Sequence, residues 1–87
     1  MELDFEIDFI FKKVTRHSPH LIARLLSEEH FQLSESSTFG GFEIKGVSMP
    51  RATDDKGNPR FDIFAIYFKD KTKRENFNKG QIVQLIP

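Results

Sequence analysis

Residues 2–12 read ELDFEIDFIFK, and apolar side chains fill every second position of this stretch from Leu3 to Phe11. Successive side chains of a β-strand point to opposite faces, so a period of two predicts a strand with one buried face. A helix of the same sequence would scatter its apolar side chains around the whole circumference. Glu2–Lys12 is therefore predicted to be a half-buried strand.

A helix is predicted next along the chain, from Pro19 to Glu29. Ser18 is a preferred N-cap residue, and proline fits the first helical turn because its missing N–H has no partner there. The apolar residues that follow have helical spacing; they are Leu21, Ile22, Leu25 and Leu26. Such a stripe needs another element against which it can be buried.

Three more strands are predicted in the remainder of the chain, over Phe39–Met49, Phe61–Lys69 and Gln81–Ile86. Polar turn-forming residues separate the first two over Pro50–Pro59, and a basic connector over 69–79 precedes the last. The pair Gly40-Gly41 predicts a bulge or a close backbone approach within the first of these strands.

The element order strand, helix, strand, strand, strand predicts an α+β fold. We expect residues 1–87 to form a single domain, with one helix packed on a mainly antiparallel four-stranded sheet. The alternative is a small, partly open β-barrel with one helix, closed by Phe77–Ile86. The order resembles the cystatin-type layout, but the glycine-flanked inhibitory hairpin of cystatins has no match here, so the resemblance does not imply protease inhibition.

The predicted strand Phe61–Lys69 is apolar on both faces, which is normal only where both faces are covered. A single helix covers one face of a sheet at most. The second cover would be barrel closure, the Ser34–Phe39 loop or another chain. This reasoning predicts a homodimer or a bound protein partner as readily as an internal solution.

Composition narrows the class of protein. The 87 residues include ten Phe but neither Cys nor Trp, so disulfides, thiolate-bound zinc and iron–sulfur clusters are excluded. Thirteen basic and thirteen acidic residues give a net charge of zero, which does not favour bulk attraction to nucleic acid or membranes. No apolar run reaches the roughly 18–20 residues of a membrane span. We expect a soluble, cytoplasmic protein that needs no membrane.

An acidic row on the first strand is the leading candidate for a protein-binding surface. It consists of Glu2, Asp4, Glu6 and Asp8, on the face opposite to the apolar side chains. The row would also serve as a plain solvated face or as one half of cross-strand ion pairs. Together with the exposed part of the apolar strand, represented by Phe64 and Phe68, it is predicted to contact a protein partner.

A nucleic-acid-binding surface is the alternative, and it is considered less favoured. Basic loops beside exposed aromatic rings can hold phosphates and stack bases. The candidate residues are Arg60, Lys71, Lys73 and Arg74. Nearby acidic residues dilute this charge, and the aromatic residues are equally well explained as core.

No catalytic, cofactor or metal site is predicted. His17 and His20 stand three residues apart around the predicted helix start, but a catalytic zinc site needs a third protein ligand. His30 would lie about 15 Å further along a helix. We therefore expect a small non-enzymatic binding protein of the inhibitor, immunity or adaptor type, acting through its sheet surface and loops.

Overall fold

The computed structural model describes residues 2–27 and 31–87, and these ranges contain six β-strands. The strands are β1 (Leu3–Ile10), β2 (Leu21–Leu25), β3 (Thr38–Phe39), β4 (Phe42–Ser48), β5 (Ile63–Phe68) and β6 (Ile82–Ile86). They form a closed barrel in the order β1-β2-β5-β4-β3-β6, and every neighbouring pair is antiparallel. A short 3₁₀ helix, Lys71–Asn76, precedes β6.

The α+β prediction, one helix on a four-stranded sheet, is wrong, and so is the cystatin-like layout. The alternative, a small and partly open β-barrel with one helix, is contradicted as well, because the barrel is closed and the described residues contain no α-helix. The predicted strands at both ends of the chain are present as β1 and β6, with slightly different bounds.

The helix predicted over Pro19–Glu29 is replaced by β2, although its last two residues lie outside the described ranges. Leu21, Ala23 and Leu25 alternate as a buried row, a strand pattern hidden by the small alanine. The Ser18 hydroxyl accepts a hydrogen bond from the Thr15 N–H (2.6 Å) and so closes a turn instead of capping a helix. Tertiary pairing decides the outcome, because β2 supplies ladder partners to both β1 and β5.

The predicted strand Phe39–Met49 is divided into β3 and β4 by a two-residue hairpin turn, Gly40-Gly41. Both glycines have positive φ, which this type of turn requires. A Cβ on Gly40 would lie only 2.6 Å from the Phe77 ring, so the close backbone approach predicted for this pair is present. It occurs at a turn, not inside a strand.

Phenylalanine rings fill the barrel interior. Phe5, Phe39 and Phe68 are fully buried, and Phe39 forms edge-to-face pairs with the other two at centroid distances of 5.7 and 6.1 Å. Phe77 stacks on Phe68 at 5.5 Å and closes one side of this cluster. Aromatic pairs of this kind bury large areas and set a definite packing geometry.

Both faces of β5 are buried within one chain, as the continuous apolar sequence of this strand predicts. Ile66 and Phe68 belong to the interior cluster, whereas Ile63 and Ala65 lie on the opposite face and are also buried. The argument for a second copy covering this strand is therefore removed. The homodimer remains a prediction without that support.

The alternation in β1 is interrupted by a bulge between Ile7 and Phe9. Beyond it, Ile10 pairs with Leu21 of the core, and Phe9 turns outward and is 53% exposed. The prediction that all five alternate apolar residues share one buried face is wrong for Phe9. A bulge adds one residue to a strand and so reverses the faces beyond it.

Candidate functional site

The predicted acidic row on β1 is partly neutralised in the fold. Glu2 and Asp4 are exposed, but Glu6 accepts a 2.6 Å hydrogen bond from Arg24, its direct neighbour on β2. Asp8 lies near Arg60: the pKa of Arg60 is raised mainly by hydrogen bonding to Asp62 and further by the charge of Asp8. The row is thus half free surface and half cross-strand ion pairing.

Phe64 and Phe68, predicted to contact a partner, point into the barrel instead. Their exposed fractions are 9% and 1%, and both belong to the interior cluster. Phe68 offers no surface to another protein, whereas the small exposed part of Phe64 contributes to the lining of an apolar groove. Phe61, which is exposed, lies just before β5, and Tyr67 within the strand is half-buried.

The four residues predicted for nucleic-acid binding are separated by the fold. Arg60 forms a two-pronged contact with Asp62 (2.9 and 3.1 Å) at the end of the barrel where β5 begins. Lys71, Lys73 and Arg74 lie beyond the other end of β5, in the 3₁₀ helix. Arg60 therefore does not belong to the same surface as the other three.

Arg74 joins two distant segments. Its guanidinium donates to the carbonyl oxygens of Phe11 (2.8 Å), Lys12 (3.0 Å) and Lys71 (2.6 Å). This contact fastens the β1–β2 connector to the 3₁₀ helix, although some sixty residues separate them in sequence. Arg74 is thus a structural tie that also brings together two basic segments.

A basic pocket of about 310 Å³ lies between these two segments and the adjoining ends of the strands. Four cations and no carboxylate residue line it: Arg16 from the β1–β2 connector, Lys45 from β4, Lys69 after β5, and Lys71 from the 3₁₀ helix. The remaining lining includes His20 and Tyr67. Cations that converge without intervening carboxylates form a site for an anion.

Lys45 reaches the pocket because of a β-bulge. The pairing of β4 with β5 passes from Ile44 opposite Phe68 to Gly46 opposite Tyr67, so Lys45 is the extra residue. Bulges redirect a side chain and are frequent beside functional sites. The position of Lys45 therefore follows from a local irregularity that the barrel retains.

His20 lies between the pocket and the core. Its backbone is bonded to both neighbours, accepting from the Phe11 N–H (3.1 Å) and donating to the Ile66 carbonyl (3.0 Å). Its imidazole is nearly parallel to the Phe68 ring, and its Nδ1 accepts a 2.9 Å hydrogen bond from the Phe68 N–H. The ring orientation is therefore fixed from two sides.

The cations around His20 create a positive electrostatic potential at its imidazole. Burial lowers the pKa of this imidazole below 6.5, and the charges of Arg74, Lys45 and Lys71 lower it further. Each of these cations opposes a proton on the ring. Their joint effect agrees with the carboxylate-free lining of the pocket.

Two acidic residues near the pocket, Glu43 and Asp70, each accept hydrogen bonds from neighbouring residues of the chain. Glu43 accepts a 2.7 Å bond from Lys69, and this hydrogen bond is the main cause of the lowered Glu43 pKa. Asp70 caps the 3₁₀ helix by accepting from the Thr72 hydroxyl (2.7 Å) and the Thr72 N–H (3.0 Å), which lower the Asp70 pKa. Within the described chain, Arg16, Lys45 and Lys71 take part in no ion pair.

Sequence reasoning missed Arg16 and Lys45 as members of a site with the basic connector over 69–79. The one further signal was the basic run after Phe11, which contains Lys12, Lys13 and Arg16. Nothing in the sequence places this run beside the connector that follows β5. That proximity depends on β2 being a strand, which the helix prediction prevented.

An apolar groove of about 1160 Å³ lies at the opposite end of β2 and β5. Its lining includes three large apolar side chains that are exposed, Leu26, Met49 and Phe61, and Phe61 is 73% exposed. The two ion pairs Arg24–Glu6 and Arg60–Asp62 contribute their arginines to its edge. This end of the barrel is hydrophobic, with paired charges.

Over residues 2–27 and 31–87, no group of three or more metal-ligating side chains could hold a metal ion. His17 is exposed, His20 faces the basic pocket, and His30 lies outside the described residues. No helix in the described chain has the length and hydropathy needed to cross a bilayer. Whether the protein is an enzyme, and its compartment, remain predictions.

Comparison of the chain with known protein families, with curated proteins and with solved structures finds no match in any of the three.

Proposed function

We propose that the protein is a nucleic-acid-binding module that holds the phosphates of a single strand at the basic end of its barrel. The observation that carries this proposal is the convergence of Arg16, Lys45, Lys69 and Lys71, from separate segments, on one pocket without carboxylates. Phosphate is the anion that favours several cations at once, and contacts to it supply most non-specific affinity for nucleic acids.

The basic surface extends beyond one pocket. Lys12 and Lys13 are exposed on the connector fastened by Arg74, and Lys73 lies on the 3₁₀ helix with its Nζ 5.3 Å from the Phe42 ring centroid. Further cations on the two segments that border the pocket suit a chain of phosphates better than one small anion. A strand would follow them across this end of the barrel.

An aromatic side chain in the pocket lining favours a single strand over a duplex as the ligand. Tyr67 lines the pocket and is half-buried, with its hydroxyl 3.4 Å from the Ser48 hydroxyl on β4. Base stacking on such a ring requires unpaired bases and tolerates any sequence. Phe77, by contrast, is buried and offers no face for stacking.

The test is binding of an internally labelled RNA of about 12 nucleotides, measured by fluorescence anisotropy at about 50 mM salt. The variant Lys45→Glu/Lys71→Glu should bind at least about tenfold more weakly, and the slope of log K against log salt should decrease by about 1.4. The control, Lys56→Glu, makes the same type of charge change outside the pocket. No binding by the wild-type protein would overturn the proposal.

The predicted protein-binding surface, formed by the acidic row with Phe64 and Phe68, has less support from the geometry. The free part of the acidic row is reduced to Glu2 and Asp4, and Phe64 and Phe68 are buried. A different surface now supports protein binding as the second candidate function: the apolar groove with Leu26, Met49 and Phe61 exposed. Large exposed apolar side chains grouped together are typical of protein interaction sites.

Light scattering coupled to size exclusion tests this second candidate for self-association. If a second copy occupies the groove, the wild-type protein should elute as a dimer and Phe61→Glu as a monomer. Phe9→Glu is a matched control, because Phe9 is also an exposed phenylalanine but does not line the groove. A wild-type monomer at high concentration would contradict the homodimer.

A further inference from the structure

The imidazole of His20 presents one nitrogen to the basic pocket. Its Nδ1 is occupied by the Phe68 N–H (2.9 Å), and no described residue is hydrogen-bonded to Nε2. Among the described side chains, the one fully buried polar atom without a partner belongs to Ser27, so Nε2 retains access to solvent. Because His20 lines the pocket, that access is from the pocket side.

The hydrogen bond at Nδ1 also determines the tautomer. An Nδ1 that accepts a hydrogen bond from a backbone N–H carries no proton, so the proton of the neutral ring resides on Nε2. His20 therefore offers a neutral N–H donor to the pocket. Protonating Nδ1 would cost the bond to Phe68 and would be opposed by three nearby cations.

We propose that this pocket binds a terminal phosphate of a nucleic-acid strand, a phosphomonoester, with His20 Nε2–H donating to one phosphate oxygen. The proposal rests on the proposed function and names the part of the strand that the pocket receives. Arg16, Lys45 and Lys71 supply charge, and the imidazole supplies a directed donor. Lys69 is shared with Glu43 (2.7 Å) and contributes less.

Charge distinguishes a terminal phosphate from an internal one. A terminal phosphate has three free oxygens and about two negative charges above a pKa near 6. An internal phosphodiester has two free oxygens and a single charge. Three cations without ion-pair partners and one N–H donor complement the former, whereas a single charge would leave cations unbalanced in a recessed site.

Size agrees with this assignment. A volume of about 310 Å³ is at the lower end of the range for ligand pockets, enough for a phosphate with its attached sugar. An internal phosphate would need the strand to enter and leave the same small recess. A strand end needs one exit, and the exposed cations Lys12 and Lys13 on the adjoining connector provide a path for the following phosphates.

The experiment compares otherwise identical oligonucleotides of about 12 residues that carry a 5′-phosphate, a 3′-phosphate or hydroxyls at both ends. Each competes with an internally labelled strand for the full-length protein. One of the phosphorylated strands should bind about tenfold more tightly than the hydroxyl-ended strand, the size of effect that one charge-assisted hydrogen bond gives. Inorganic phosphate serves as a separate competitor that reports occupancy of the pocket alone.

His20→Asn is the decisive variant. The asparagine Oδ1 takes the place of Nδ1 and can still accept from the Phe68 N–H, but the donor at the Nε2 position is lost. The preference for the terminal phosphate, measured as the ratio of the affinities for the phosphorylated and the hydroxyl-ended strand, should therefore fall about tenfold. His17→Asn is the matched control because His17 is exposed and does not line the pocket.

Lys71→Gln provides a second measurement that does not disturb the core, since Lys71 is exposed. It should reduce the preference as well. Equal affinity for all three strands would overturn the terminal-phosphate assignment and leave the proposed function intact. Failure of every strand to bind would overturn both. A preference that His20→Asn and Lys71→Gln both leave unchanged, in folded variants, would place the terminal phosphate elsewhere and also overturn the assignment.

Discussion

The two ends of β5 use the same strand in opposite ways. At its start, Phe61 is exposed beside an apolar groove, and the neighbouring arginines Arg24 and Arg60 are bonded to carboxylates at 2.6 and 2.9 Å. At its end, Phe68 is buried, and the neighbouring cations Lys45 and Lys71 take part in none of the ion pairs of the described chain. One end has arginines with carboxylate partners beside exposed apolar surface, whereas the other has two cations without ion-pair partners beside a buried ring.

This difference determines which type of interaction would stabilise a ligand bound at each end of β5. Ion pairs at the groove end are largely balanced, so a partner there would gain mainly from apolar burial, with little dependence on salt. Three of the four cations that line the pocket take part in no ion pair of the described chain, so an anionic ligand would gain electrostatically and bind less tightly as salt increases. Salt titration therefore separates the two ends experimentally.

The largest expected effect is the difference in stability between substitutions of the two phenylalanines at the two ends of β5. Phe68→Ala removes a ring that stacks on Phe77 and His20, and should lower the free energy of unfolding by about 3–5 kcal/mol. Phe61→Ala removes a ring that is mostly in solvent and should change it by less than about 0.5 kcal/mol. Urea unfolding of both variants measures the contrast, and equal losses would contradict the burial assigned to the two ends.

His20 gives the next largest effect. His20→Ala leaves the Phe68 N–H without its acceptor, which should cost about 1–3 kcal/mol of unfolding free energy. His20→Asn keeps an acceptor at the same position and should cost less. Thermal or urea unfolding of the two variants separates the hydrogen bond from the packing of the ring. Identical losses would mean that the bond to Phe68 contributes nothing measurable.

The pH dependence of stability tests whether the His20 imidazole is neutral in the folded protein. Because burial, Arg74, Lys45 and Lys71 lower its pKa in the folded protein below 6.5, the unfolded chain takes up the proton more readily. The stability due to neutral His20 is thus complete above about pH 6.5 and is lost as the pH falls toward the lower folded-state pKa. Urea midpoints at about pH 7.5 and pH 5 should differ more for the wild type than for His20→Asn.

The smallest expected effect concerns the one pocket lysine that has a partner. Glu43→Gln releases Lys69 from its 2.7 Å contact and removes a negative charge beside the pocket. Affinity for single-stranded RNA should rise by no more than about threefold, because exposed ion pairs are weak. Anisotropy titration measures this change, and Glu75→Gln is a control with the same charge difference. A decrease in affinity would indicate that Glu43 itself contacts the ligand.

Several strands could be predicted from sequence because their patterns are local. The alternation in β1 and the continuous apolar run in β5 each depend on neighbouring residues of one segment. β2 could not be predicted, because Leu21–Leu25 satisfies both a helical and a strand spacing. Its choice depends on the open edges of β1 and β5, whose hydrogen bonds need a partner strand.

The candidate site was accessible from sequence only in part. Lys71, Lys73 and Arg74 were recognised as a basic connector, and His20 was noted for its spacing from His17. The proximity of Arg16 and Lys45 was not predictable, since it results from the bond of Arg74 to the β1–β2 connector and from a bulge in β4. Both are long-range consequences of barrel closure.

The amino-acid pattern alone determined that this chain builds a phenylalanine-rich core and has no cysteine chemistry, because burial of apolar side chains depends first on composition and local periodicity. Only the tertiary structure decided that two arginines with carboxylate partners lie beside the apolar groove and that Arg16, Lys45 and Lys71, which take part in no ion pair of the described chain, meet at the pocket. Closing a barrel brings segments some sixty residues apart within hydrogen-bonding distance, and no local pattern encodes that separation.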